Sequence, residues 1–122
     1  MNKSKGQLQS EITEAMIKFE KEFMGRGPLE AKTYIIDDMI IVRLQGVLTQ
    51  AELQLAKSTD NNKGRELIKQ IRVELLEKGR PLLEAVIQSI IGYEVKSLHS
   101  DLSTLTGERI IIFTLDGLPF EP

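Results

Sequence analysis

Residues 30–45 carry two runs of β-branched and aromatic side chains separated only by Asp37-Asp38. Such runs fit strands, and a two-residue polar break between them fits a tight hairpin. With Asp37 and Asp38 as the turn, Ile36 faces Met39, Ile35 faces Ile40, Tyr34 faces Ile41 and Thr33 faces Val42. Side chains alternate across a strand, so one sheet face carries Ala31, Thr33, Ile35, Ile40, Val42 and Leu44. That face reads as core. The opposite face carries Lys32, Tyr34, Ile36, Met39, Ile41 and Arg43, and it too is largely apolar. A further strand at Arg109–Leu115 is apolar on both faces, which marks an interior position. Burying a large aliphatic side chain contributes about 1.5–3 kcal/mol, and an apolar sheet face left wet invites aggregation. Either helices cover both faces, or they share one face and a second chain covers the other. A homodimer is the expectation, with Tyr34, Ile36, Met39 and Ile41 at the interface.

The remaining segments supply the helices. Leu8, Ile12, Met16, Phe19 and Phe23 recur at helical spacing and predict a helix over residues 5–24, with Glu11, Glu14, Lys18, Glu20, Lys21 and Glu22 on its wet side. Gly25-Arg26-Gly27-Pro28 ends it. Thr49-Gln50-Ala51-Glu52 has the form of a capping box and opens a short helix over residues 50–57. Residues 58–64 read as a polar loop. A long helical pattern follows over residues 65–91, with Pro81 inside it predicting a kink or break, and Gly92 closes it. A second hairpin spans residues 93–115, with a strand over 93–101 and a turn over 103–108, and residues 117–122 form a tail. The expected fold is one α+β domain of order α-ββ-αα-ββ, whose two hairpins build a four-stranded, mainly antiparallel sheet.

Composition removes several classes of function. A 122-residue chain without Cys has no disulfide, thiolate zinc site, iron–sulfur cluster or cysteine nucleophile. One His rules out a multi-histidine metal site within one chain, and no cofactor is implied. A net charge of −2 argues against a protein that coats DNA. The longest apolar run, residues 110–113, falls far short of the roughly 20 residues that span a bilayer. The first residues lack the apolar stretch of a signal peptide, so the expected location is the cytoplasm, at most peripheral to a membrane.

A few residues invite a chemical reading. His99 and Asp101 share one face of a strand, where a carboxylate orienting an imidazole would suit proton transfer, but the sequence supplies no matching nucleophile. A hydrogen-bonded strand end is the ordinary reading. Arg26 between two glycines, with the turn carrying Thr106 and Glu108, could frame an anion such as bicarbonate or a nucleotide, although the segment also serves as a plain helix-to-strand connection. The N-terminus of the helix after Thr49 is a generic anion site, but Glu52 occupies its donors. Between Asn61 and Arg80, six basic residues stand against three acidic ones. Pairs at helical spacing such as Glu74 with Lys78 make that stretch a solvated helix face. Asp37-Asp38 offers two carboxylates and no third metal ligand.

Several segments taken together bring a family into view: Gly25-Arg26-Gly27-Pro28; Val42-Arg43-Leu44-Gln45-Gly46-Val47-Leu48-Thr49 with Glu52; Gly64-Arg65-Glu66-Leu67-Ile68; Gly92-Tyr93-Glu94-Val95; and His99 through Glu108. In this order they resemble the MpsC family, named for a sodium-translocating, membrane-potential-generating system. The resemblance covers about residues 8–115. It implies a small single-domain accessory or regulatory protein, not an enzyme, with a possible partner in a membrane system that handles ions and inorganic carbon. It carries over no catalytic residues. Contacts to a ligand or partner are expected around Arg26, His99, Asp101, Thr106 and Glu108.

Overall fold

A computed structural model describes residues 3–57 and 63–121. The elements run α1 (Lys5–Met24), β1 (Glu30–Ile36), β2 (Met39–Gln45), α2 (Gln50–Ala56), α3 (Lys63–Ile91), β3 (Val95–Leu102) and β4 (Arg109–Leu115). They form an α+β fold with one four-stranded antiparallel sheet in the order β1-β2-β4-β3. The first hairpin pairs in the register read from the sequence, Ile36 with Met39 through Glu30 with Gln45. Asp37 takes a positive φ of 53°, a conformation aspartate tolerates better than most residues. β4 is interior, as its two apolar faces require.

All three helices gather on one side of the sheet. Ile35, Ile40, Val42, Leu44, Ile111, Phe113 and Leu115 on the inner face join Ile12, Met16, Phe19, Ile68, Leu83 and Ile87 from the helices in one buried core. α1 lies against β1, where Thr13 and Thr33 hydroxyls hydrogen-bond at 2.8 Å. Gln9 Oε1 accepts the Ile35 N–H at 2.9 Å, so α1 also protects part of the β1 edge. The expected cap forms, with Thr49 and Glu52 opening α2, and the structure adds a second capping box in which Ser4 and Gln7 open α1.

Several boundaries differ from the sequence reading. α3 begins at Lys63, two residues early, and the rest of the expected loop, residues 58–62, lies outside the described residues. α2 ends at Ala56, and β3 starts at Val95, after Gly92 has closed α3 at a φ of 80°. α3 runs through Pro81 without dividing. Arg80 brackets that turn, bonding Glu84 at 2.8 Å and lying 3.6 Å from Glu77. The chain after β4 is tied down, with Asp116 and Glu94 exchanging hydrogen bonds and Phe120 packed on the core.

Three charged residues assigned to wet faces or strand ends are buried instead. Glu20 is 0% exposed, Arg72 3% and Arg109 2%. Glu20 continues the Ile12-Met16 spacing, and Arg72 sits midway between Ile68 and Leu76. Arg109 alternates in phase with Ile111, Phe113 and Leu115. The expected Glu74–Lys78 pair is not among the ion pairs of the described residues.

Where α1 crosses α3, Gly79 has no side chain and Phe19 fills the space. A Cβ there would lie 2.6 Å from two Phe19 ring carbons. Phe19 is itself buried and stacked on Phe23 at 4.8 Å. An Ala normally gains about 1 kcal/mol over Gly inside a helix. Here Gly79→Ala should instead destabilise by about 1–2 kcal/mol in urea denaturation, as overpacked cores do. Adding Phe19→Leu should recover part of that loss.

Candidate functional site

Two surfaces stand out: the open face of the sheet and a groove between α3 and β3. On the open face, Tyr34, Ile41, Ile112 and His99 form one cross-strand row, and Ile36, Met39, Thr114 and Ser97 form the next. Tyr34 is 37% exposed and Ile36 45%, while Met39, Ile41, Ile110 and Ile112 are half-buried. Among the described residues no helix covers them. A charged border follows, in which Lys32, Arg43, Ile110 and Asp101 share a row and Arg43 Nε donates to Glu108 at 2.5 Å.

The groove has a volume of about 360 Å³. α3 contributes Lys69, Arg72, Val73, Leu76 and Glu77, β3 contributes residues 98–102, and Arg109 reaches it from β4. Ser100 faces the helix layer by register yet is exposed, because α3 leaves this end of β3 uncovered. The Arg72 guanidinium grips Glu52 through Nε at 3.2 Å and Nη2 at 2.7 Å, and Nη2 also donates to the Val47 carbonyl at 3.0 Å. Arg109 Nη1 donates to Ser100 Oγ at 2.9 Å. Both Glu20 carboxylate oxygens, Arg72 Nη1 and Arg109 Nε are buried without a hydrogen-bond partner among the described residues.

This setting moves the titrations in opposite senses. Burial pushes the Glu20 carboxyl above its ordinary 4.5, with the charges of Arg109 and Arg72 opposing. Burial also acts to raise Glu52, but its hydrogen bonds from Arg72 and Thr49 and the charge of Arg72 prevail, so it lies below 4.5. Burial lowers the Arg109 guanidinium from its usual value, against the pull of Glu20.

The residues singled out from sequence fall in different places. Arg26 turns inward on backbone carbonyls, with Nη2 donating to Gly46 at 3.2 Å, and Nη1 to Leu48 and Nε to Gly27 at 3.4 Å. It joins the loop after β2 to the end of α1. His99 Nε2 lies 3.2 Å from Ser97 Oγ, while Asp101 Oδ1 accepts from Leu102 N at 2.9 Å and lies 3.5 Å from Lys69 Nζ. The imidazole and the Asp101 carboxylate are thus held by different partners. Thr106 Oγ1 accepts the Glu108 N–H inside the turn. Asp101, Thr104 and Glu108 share a shallow hollow that Arg26 does not line. Among the described residues no three His, Asp or Glu side chains are grouped to hold a metal, and no helix is long and apolar enough to cross a membrane.

The family model for the Na+-translocating membrane potential-generating system (MpsC) matches residues 4–117, nearly every residue that builds these surfaces. The chain belongs to the MpsC family. One curated relative is the uncharacterised Bacillus subtilis (strain 168) protein YbcI, 47% identical over 115 residues that span 94% of this chain and 90% of that protein. A more distant one from the same strain is the uncharacterised YrhF, 24% identical over 108 residues, 87% of this chain and 85% of that protein. No solved structure matches. The residues that sequence reasoning missed in this MpsC chain are Glu20, Arg72 and Arg109. The signal was present, since each is a charge at a core phase of its own element.

Two outcomes test this electrostatic reading. Arg72 is buried but Glu52 is only half-buried, so removing the guanidinium leaves a carboxylate that water can partly reach, and Arg72→Met should cost about 1–3 kcal/mol in urea denaturation. The buried Glu20 and the half-buried Glu52 should also separate by pH. The stability from Glu20's raised affinity for its proton is complete below pH 4.5 and is lost as pH rises through its folded value. The stability from Glu52 is present above 4.5 and is lost as pH falls through its depressed folded value. The melting temperature of Glu20→Gln relative to the parent should therefore climb as pH rises above 4.5. The deficit of Glu52→Gln should be largest at neutral pH and shrink on acidification.

Proposed function

We propose that this protein is a non-catalytic accessory or regulatory component of a bacterial membrane system that moves ions or inorganic carbon. In this reading it works as a homodimer at the aqueous side of the membrane. The observation that carries the reading is the uncovered sheet face, where Tyr34, Ile36, Met39, Ile41, Ile110 and Ile112 form a continuous apolar field. Patches of this kind on a small chain mark surfaces of association. A second copy suits this one because the border carries both signs, Lys32 and Arg43 against Glu108 and Asp101. A two-fold pairing sets such a mixed border against itself without like-charge conflict. Two sheets stacked about 10 Å apart would bury both apolar fields in a sandwich. Membership of the MpsC family supports the link to a membrane system.

Light scattering behind size exclusion tests the pairing. At micromolar concentration the mass should be twice that of one chain, and Ile41→Lys on the open face should return it to one chain without unfolding. A single-chain mass for the parent protein would remove the dimer. The membrane link is tested separately, by affinity capture from solubilised membranes of the source cell. An identified ion-transport component should be retained by the parent protein and absent from an untagged control.

A further inference from the structure

Arg109 is a buried cation with no carboxylate at ion-pair distance among the described residues, although the charges of Glu20 and Asp101 reach it. Its side chain is 2% exposed, and among the described residues no carboxylate oxygen lies within 4.0 Å of it. Its one polar side-chain partner is the neutral Ser100 hydroxyl, and its Nε–H has none. Taking a guanidinium out of water costs several kcal/mol unless it is paired, so such a group needs a counter-charge. Arg72 beside it brings a second positive charge, which Glu52 neutralises, and it too leaves Nη1 without a partner among the described residues. Both arginines contribute to the wall of the 360 Å³ groove. The acids at that groove are already engaged, Asp101 by Lys69 and the Leu102 N–H, and Glu77 by Arg80. Glu20 is near enough to feel both arginines, but it does not line the groove, and burial favours its neutral form. Beside the charges, Val73, Leu76 and Leu98 give the groove an apolar lining.

From this geometry we infer that the groove between α3 and β3 binds a small organic oxyanion, with its carboxylate or phosphate head at Arg109 and Arg72 and a short apolar body against Val73, Leu76 and Leu98. Guanidinium groups favour such heads because their N–H donors match pairs of oxyanion oxygens. Lys69 at the mouth adds attraction for the incoming ligand. The volume falls at the small end of ligand pockets, enough for one ring and a head group but not for a nucleotide triphosphate. The groove meets the open sheet face along β3, where His99 and Asp101 belong to both, but its arginines lie on the helix side, so the binding test stands apart from the test of the dimer.

The test is a titration of 15N-labelled protein with benzoate, phenyl phosphate and inorganic phosphate, against sodium chloride at equal ionic strength. Side-chain Nε–Hε resonances and the melting temperature are the readouts. At least one aromatic anion should shift the Arg109 Nε–Hε signal saturably. At tenfold excess over its Kd it should raise the melting temperature by about 4–6 °C. Inorganic phosphate should bind at least tenfold more weakly than phenyl phosphate, because it leaves the apolar wall unused. Arg109→Gln should abolish binding. Val73→Trp, a change at a residue 55% exposed, places bulk in the groove while keeping both arginines in the sequence and should weaken binding at least tenfold even if Arg109→Gln does not fold. Glu20→Gln should leave affinity unchanged or improve it. The inference is overturned if none of the three anions moves the Arg109 signal at about 20 mM, or if binding survives Val73→Trp unchanged. It also fails if Glu20→Gln lowers stability at neutral pH with no anion bound, which would make Glu20 the internal counter-ion of Arg109.

Discussion

Three helices and one sheet must share a single hydrophobic layer in this protein, and they do so with every helix on the same side. The middle strands β2 and β4 are apolar on both faces, so the chain makes more sheet surface than its helices can shelter. α1 lies along β1, α3 leans on α1, and α2 tucks beside α3. Coverage is dense over β1, β2 and β4 and thins towards β3. Both candidate surfaces follow from that distribution. Among the described residues no helix lies on the outer face, and the inner face opens into a groove where α3 parts from β3.

Where the helix layer thins, the core becomes charged. Glu20, Arg72 and Arg109 come from α1, α3 and β4, and Glu52 at the start of α2 completes the group. Arg72 joins three pieces of chain, since it holds the α2 cap residue and the Val47 carbonyl while seated in α3. A buried ion pair seldom adds much net stability, because desolvation offsets the attraction. What it supplies is position. α2 is only seven residues long and would not persist as a free helix, and the Glu52–Arg72 contact anchors its first turn to α3. Arg26 does similar work nearby through carbonyl contacts alone, which is why a residue with the look of an anion ligand serves as a brace.

Much of the fold was legible along the chain. The turn at Asp37-Asp38 set the hairpin register, because a slip of one residue would turn Ile35 and Ile40 out and Tyr34 and Ile41 in. The apolar faces of Ile110 and Ile111 marked β4 as interior, and the capping box at Thr49 announced the start of α2. The site was less legible. Glu20 and Arg72 stand in phase with core residues, yet charge is so rarely buried that each reads as solvent-facing when its own helix is considered alone.

Local order, pairing register and the surplus of apolar sheet surface were determined by the sequence itself, since turn chemistry and the two-residue and 3.6-residue periods act between near neighbours. The tertiary structure alone decided that all helices choose one face, that the helix containing Pro81 stays whole, and that three distant charges meet. Those outcomes depend on packing between segments far apart in the chain, such as Phe19 against Gly79, where a missing side chain on one helix sets how closely another can approach.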